Sequence, residues 1–490
     1  MARNKRRAME ILEEQRTRSS TAAERAVLAA CLLPDSRNDP RDPLGELRAL
    51  AETAGARVVA EVTQNRRRPE AGTYIGTGKL DEILKIKDEV GADLVIFDND
   101  LSPAQIRNIE EKLSCRAIDR SELILDIFAS RATTTAARLQ VELAQLEYTY
   151  PRLKSMWTHL GQITGGAPMG IGTRGPGETQ IETDRRLVQA RKTILKRRIA
   201  EVYERRVREV AERRREHFTV CVVGYTNAGK STLFNRLTEP SGGGGAYADD
   251  RLFATLTTRT RLWPVGAGEQ VMLSDTVGFV RDLPHHLIAS FRATLEEAIH
   301  ADLQLIVVDA SDPQAELHYQ VVLETLQGID ADSPVPGVQR STAPPGAHFP
   351  GEDEAPVVPA STSGPHVPRR IVVLNKIDRM GERSALVPWI QSNERVIPVS
   401  AVSGEGLSEL AAAVQEIVRG EMADVIVTAP LNAGRAIALM ETRGVIRERE
   451  YEKDLVRYHL RIGSAHLPAL RSLGCAVKEA RLRKPRGRRV

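Results

Sequence analysis

The sequence predicts an α/β protein: a central domain with a mostly parallel sheet, preceded by a small α/β domain with a helical arm and followed by a small α+β domain. Three observations carry this. Apolar clusters alternate with helix-like stretches between Glu46 and Phe97, as in a sheet covered by helices. Strand-like runs at Val220–Val223, Leu374 and its neighbours, and Val396–Val399 end in polar loops of distinctive composition. Beyond 423, alternating apolar and polar residues replace the continuous runs, which suits a half-exposed sheet.

A chain of 490 residues, 41% hydrophobic and 27% charged, is long enough for two to four domains, each with its own core. The longest unbroken apolar run, Ala26 to Leu33, is far shorter than the ~18 residues that cross a bilayer. With no signal-like cleavage pattern after the basic start at Arg3, Lys5, Arg6 and Arg7, the expectation is a cytoplasmic protein without a membrane span. Cys31, Cys115, Cys221 and Cys475 lie far apart and form no C-x-x-C pair, which argues against a disulfide framework or a zinc site.

Element by element, residues 1–130 read as the first domain, with a helix over Lys79 to Val90 and strands at Val58–Ala60 and Leu94–Phe97. From Arg131 to Tyr150, Leu139, Val141, Leu143 and Leu146 recur at helical spacing, and Pro151 predicts a break. The glycine-dense stretch 165–177 predicts a loop. Glu178 to Glu216 has neither Pro nor Gly and predicts one long charged helix, so that 131–216 forms an arm with a loop at its tip.

The central domain is expected over 217–422. It is interrupted at 328–368 by a segment with nine prolines and no periodicity, which predicts a disordered insertion. Residues 423–490 form the last domain and end in a tail where six of the final ten residues are basic. Net charge is +4, but thirteen Arg or Lys against five Glu lie between 185 and 216. Such a density suits a polyanion such as RNA as well as a solvated helix face.

The chemistry is concentrated in four loops. Gly224-Tyr225-Thr226-Asn227-Ala228-Gly229-Lys230-Ser231 follows a β-branched run and precedes a helical stretch starting at Thr232; this is the complete G-x-x-x-x-G-K-S phosphate loop in its strand–turn–helix setting. Its backbone N–H groups wrap phosphates, Lys230 reaches the β/γ-phosphates and Ser231 ligates Mg²⁺. Asp275-Thr276-Val277-Gly278 places a metal-binding carboxylate, Asp275, and a γ-phosphate-sensing N–H at the end of a second apolar strand.

Asn375-Lys376-Ile377-Asp378 and Ser400-Ala401-Val402 read the base. Asp378 can accept from both the N1–H and the N2 amine of guanine. Adenine would leave it desolvated and unpaired, a penalty of several kcal/mol that predicts preference for GTP of ~10³-fold or more. Together the four loops predict a P-loop GTPase domain.

Between the first two loops, Phe253, Ala254, Thr255, Leu256 and Thr257 form the expected first switch, with Thr255, Thr257 or Thr258 supplying a hydroxyl to the metal. Phe279 stands where a water-orienting Gln is common, which predicts slow intrinsic hydrolysis and no catalytic side chain at that position; Lys230 and the switch threonine would stabilise the transition state. Asn227 has two readings, a contact to a potassium ion or a residue that shapes the loop. Gly76-Thr77-Gly78-Lys79 imitates a phosphate loop only superficially, because Leu80 stands where the metal-binding hydroxyl belongs.

Beyond these generic motifs, Gly172-Thr173-Arg174-Gly175-Pro176-Gly177-Glu178-Thr179-Gln180-Ile181-Glu182-Thr183-Asp184-Arg185-Arg186 and Gln140-Val141-Glu142-Leu143-Ala144-Gln145-Leu146 resemble the HflX family of ribosome-associated GTPases over nearly the whole chain. The resemblance favours Thr255 as the metal ligand. It implies binding to the large ribosomal subunit and its rRNA, with Arg174, Arg185 and Arg186 as contact candidates, and dissociation of stalled or idle ribosomes. Alternative expectations are an assembly or storage factor on free large subunits and a regulatory GTPase with a protein partner. A monomer with no DNA partner is expected throughout.

Overall fold

A computed structural model of the protein describes residues 24–163, 176–239, 252–253, 258–266, 268–282, 297–331, 368–391, 395–420, 422–452 and 454–479. Its strands form three sheets.

The first sheet, in the order β2-β1-β3-β4, is wholly parallel and comprises β1 (Arg25–Leu32), β2 (Arg57–Asn65), β3 (Leu94–Phe97) and β4 (Arg116–Asp119). The apolar run starting at Ala26 is the central strand β1, and successive residues serve opposite faces. Ala26, Leu28 and Ala30 pack with Leu47, Leu50, Ile124 and Phe128 of α1 (Gly45–Ala54) and α4 (Arg120–Arg131). Val27, Ala29 and Cys31 pack with Leu80, Ile83, Ile109 and Leu113 of α2 (Thr77–Val90) and α3 (Pro103–Leu113). A parallel strand buried on both faces loses the alternation that marks a half-exposed one.

Two long helices follow, α5 (Thr135–Ile163) and α6 (Pro176–Glu216). Leu143 and Leu146 bury against Leu195, with Val188 and Ile199 beside them, and Glu142 pairs with Arg191 at 2.7 Å. The break expected at Pro151 does not occur, because α5 runs through it. An interior proline removes one helical bond and costs about 3 kcal/mol; in a 29-residue helix packed along a partner, the remaining bonds and the apolar seam outweigh that. Pro176 opens α6, where a missing N–H costs nothing, so Pro176 and Gly177 belong to the helix and not to the expected loop. The loop residues up to 175, Arg174 among them, lie outside the described residues.

The six-stranded sheet, in the order β10-β9-β8-β5-β7-β6, is parallel except for β6. It contains β5 (Thr219–Gly224), β6 (Arg259–Gly266), β7 (Glu269–Asp275), β8 (Leu303–Asp309), β9 (Arg369–Asn375) and β10 (Arg395–Pro398). Helices α7 (Lys230–Thr238), α8 (Ala315–Ala331) and α9 (Leu407–Arg419) accompany it. Since β5 pairs with β7 on one side and β8 on the other, the strand order reverses there, and ligands of open α/β sheets gather at such a point. Helix α8 takes up the first residues of the expected insertion, and 332–367 lie outside the described residues.

The third sheet is antiparallel, in the order β12-β13-β11-β14: β11 (Met422–Pro430), β12 (Val445–Glu452), β13 (Leu455–Gly463) and β14 (Ala476–Glu479). Val456, Tyr458, Leu460 and Ile462 of β13 point into a core with Ala436 and Met440 of α10 (Gly434–Arg443) and Leu470 of α11 (Leu467–Ser472). The connection back to the central sheet is charged. Glu269, at the start of β7 and 3% exposed, is paired with Arg443 and lies 3.7 Å from Arg419 and 3.5 Å from His466. The basic residues from 481 onward lie outside the described residues.

All four cysteines are free. Among the described residues no helix is long and apolar enough to cross a membrane.

Candidate nucleotide site

The phosphate loop closes the C-terminal end of β5 and feeds directly into α7. Gly229, at φ +89°, adopts the left-handed conformation, and a Cβ there would stand 2.2 Å from Asn375 Nδ2, so only glycine fits. Asn227 is also left-handed, at φ 60°; Asn tolerates this better than other side-chain-bearing residues, which is sufficient reason for its presence.

Lys230 is buried, and its ammonium donates to the Tyr225 carbonyl at 2.6 Å. Desolvation pulls its pKa down to about 8, with Asp275 opposing and Lys376 adding to the shift. Ser231 Oγ donates to Asp275 Oδ2 at 2.8 Å. Thr276 Oγ1 donates to the Val222 carbonyl at 2.7 Å, and Val277 is buried in the apolar cluster below. At Gly278 a Cβ would lie 2.9 Å from Lys230 Nζ and 2.8 Å from Thr226 Cγ2, so the second switch lies directly against the loop.

The two segments expected to read the base converge on the same place. Asn375, 1% exposed, donates to the Ala228 carbonyl at 2.9 Å and accepts from the Ala401 N–H at 3.0 Å. Lys376, left-handed at φ 64°, pairs with Asp309 at 2.6 Å. Ile377 is buried, whereas Asp378 is exposed at the rim. Ser400 is buried and its hydroxyl accepts from the Ser403 N–H at 3.1 Å, and Val402 stands 72% exposed beside it. The structure thus brings together Gly224 to Thr232, Asp275 to Gly278, Asn375 to Asp378 and Ser400 to Val402. Their arrangement offers backbone donors and one cation to phosphates, a hydroxyl and a carboxylate to a metal, and an exposed carboxylate to a base edge.

The first switch is only partly described. Phe253 is buried, its ring edge-on to Phe128 of α4 at 4.6 Å between centroids, while Ala254, Thr255, Leu256 and Thr257 lie outside the described residues. Thr258 Oγ1 donates to Glu297 at 3.4 Å. Phe279 is 2% exposed and packed within the apolar cluster. Arg186 is exposed on α6.

Sequence reasoning missed a charged cluster beside the loop. Arg120 and Arg281, 2% and 6% exposed, pair with Asp98 at 2.6 Å and 3.1 Å and with Glu46 at 2.9 Å and 3.3 Å. Tyr225 donates its hydroxyl to Glu46 at 2.6 Å. Burial opposes ionisation of Glu46 and Asp98, but the two guanidiniums outweigh it and hold both carboxyls below the ordinary range. Burial and the neighbouring Glu46 raise the Tyr225 phenol well above its usual value. No local pattern signals this cluster, because Tyr225 and Glu46 are 179 positions apart.

The protein families that the chain matches fit this geometry. Residues 41–129 match the family described as GTP-binding GTPase N-terminal, 131–215 the GTP-binding GTPase middle region, 219–335 the 50S ribosome-binding GTPase family and 382–481 the HflX C-terminal domain. The GTPase HflX of Lacrimispora saccharolytica is 39% identical over 88% of this chain and 92% of its own length. The chain belongs to the HflX family of GTPases. The HflX GTPase of Escherichia coli is 38% identical over the same shares of the two chains. A solved GTP-binding protein from Sulfolobus solfataricus, in complex with GDP, aligns over 80% of this chain and 98% of its own at 23% identity and a TM-score of 0.39. As an HflX-family member, this chain is a GTP-hydrolysing enzyme.

Proposed function

We propose that the protein binds the large ribosomal subunit and separates stalled or idle ribosomes into subunits, working in the cytoplasm and cycling between GTP-bound and GDP-bound states. The observation that carries the reading is the match of 219–335 to a family described as 50S ribosome-binding GTPases. Helix α6 supports it, since Arg186, Lys196, Arg197, Arg198, Arg205 and Arg208 are exposed along it, a basic surface suited to rRNA phosphates. Arg174, Arg185 and Arg186 are the proposed rRNA contacts.

In the proposed cycle, the N–H groups from Asn227 to Thr232 wrap the phosphates, Lys230 bridges the β- and γ-phosphates, and Asp378 with Ala401 selects guanine. The proximity of Ser231 Oγ to Asp275 fits a hard cation. Ser231, Thr255 and Asp275, the last directly or through water, would hold a magnesium that neutralises developing phosphate charge. Gly278 would donate its N–H to the γ-phosphate and Thr255 would come in beside it, so that the triphosphate orders both switches and its loss releases them. With Phe279 turned into the core, no side chain there orients the attacking water, and intrinsic hydrolysis should be slow.

Sucrose-gradient profiles test the reading. Ribosomes should split when incubated with the protein and a nonhydrolysable GTP analogue, and GTP hydrolysis should rise on adding large subunits. Ribosomes that stay joined would refute splitting. Association restricted to immature subunits would instead identify an assembly factor, and stimulation by a protein but no RNA a regulatory GTPase.

A further inference from the structure

The charged cluster joins the first sheet to two parts of the nucleotide site. Three hydrogen bonds strap the second switch to the phosphate loop: Phe279 N–H to the Gly224 carbonyl at 3.1 Å, Thr226 N–H to the Phe279 carbonyl at 2.7 Å, and Arg281 N–H to the Tyr225 hydroxyl oxygen at 2.7 Å. The third depends on Glu46. A phenol has a single proton to donate; by taking it, the α1 carboxylate turns a lone pair of Tyr225 toward Arg281. His318 of α8 stacks on the Tyr225 ring at 3.9 Å and holds its plane. The Arg281 guanidinium is held by Glu46 and Asp98, and the buried Arg120 donates to the Arg281 carbonyl at 3.2 Å. The first switch meets the same unit, since the Leu252 N–H donates to Thr53 Oγ1 of α1 at 3.3 Å and Phe253 packs on Phe128.

We propose that Glu46 is a positioning residue for GTP hydrolysis: through the Tyr225 hydroxyl and the Arg281 guanidinium it sets the Gly278–Arg281 segment against the phosphate loop, beside Lys230. The proposal rests on the reading of Gly278 as the γ-phosphate contact. A buried ion cluster is a poor source of stability compared with apolar packing, so its place between a switch and another sheet points to specification of geometry. The geometry matters more than usual here because Phe279 supplies no side chain to the water. The backbone of this segment then governs the γ-phosphate side of the site, where a displacement of about 1 Å costs on the order of 100-fold in rate.

The test uses the full chain and the variants Tyr225→Phe, Glu46→Gln and both together, with single-turnover GTP hydrolysis, fluorescent GDP affinity and thermal melting on each. Tyr225→Phe removes one oxygen and leaves every charge paired, so it reports even where Glu46→Gln fails to fold. Hydrolysis should fall about tenfold in Tyr225→Phe, at least as far in Glu46→Gln, which weakens the Arg281 route as well, and no further in the double than in Glu46→Gln, while GDP affinity stays within about twofold, because GDP lacks the phosphate that Gly278 meets. Folded Tyr225→Phe hydrolysing at the wild-type rate, multiplying losses in the double variant, or GDP affinity falling in step with hydrolysis would each overturn the proposal. A wild-type chain indifferent between GTP and ATP would overturn the nucleotide-site reading beneath it, and would show before any variant is made.

Discussion

The Asn375 amide donates to the Ala228 carbonyl at 2.9 Å, so a residue of the proposed base-reading segment is bonded to the phosphate loop. Its oxygen meanwhile holds Ala401, and one buried side chain therefore links three of the four loops.

Asn375→Ala should leave two buried backbone groups without partners, at about 1–3 kcal/mol each. The expected result is GDP affinity lower by at least about tenfold together with a lower melting temperature. Titration with fluorescent GDP and a melting curve would show it; unchanged affinity would mean the loops are held independently.

Base choice should depend on Asp378, the exposed carboxylate at the rim. In Asp378→Asn, guanine affinity is expected to drop by roughly 100-fold or more, because an amide cannot accept from both donors, while a xanthine nucleotide, with an oxo group in place of the amine, should gain. Competition binding checks this. Retention of guanine preference would move base selection elsewhere.

Nucleotide binding should depend on pH through Lys230. Desolvation depresses this ammonium to about 8, Asp275 opposing and Lys376 adding, and phosphates bind the charged form. Below about 8 binding is at full strength; above it each binding event must take up a proton, and affinity should decline by up to about tenfold per pH unit. Affinity measured from roughly pH 7 to pH 9.5 at constant ionic strength tests this, and a flat profile would contradict it.

Gly278→Ala puts a methyl 2.8 Å from Thr226 Cγ2 and 2.9 Å from Lys230 Nζ. Since real Cβ atoms do not approach so closely, the second switch must retreat. The GTP-to-GDP affinity ratio should fall by about tenfold with GDP binding intact; equal losses for both nucleotides would show that Gly278 supports the loop and not the γ-phosphate.

Much of this was legible in the sequence because the chemistry is local. Gly224 to Ser231 is a contiguous string whose spacing is its mechanism, and β13 announces its sheet by alternation. Fold class, enzyme class and family all follow from such strings. Strand β1 was harder to read, since burial on both faces erases alternation. Pro151 misled, because a single-residue rule cannot see α6 lying alongside. The Glu46, Asp98, Arg120 and Arg281 cluster was invisible: its members look like ordinary surface charges until the fold closes about 180 positions of chain around them.

Strand β7 carries Asp275 at one end and Glu269 at the other, about 20 Å apart at the usual rise per residue. The carboxylate proposed for the magnesium and the one that anchors the last sheet are therefore opposite tips of a single rigid rod. Whatever the switches do during turnover, this rod cannot shorten, so the last sheet should travel with the body of the sheet that cradles the nucleotide. A docking surface on that sheet would consequently keep a constant distance from the phosphates throughout the cycle, like a foot planted while the opposite limb swings.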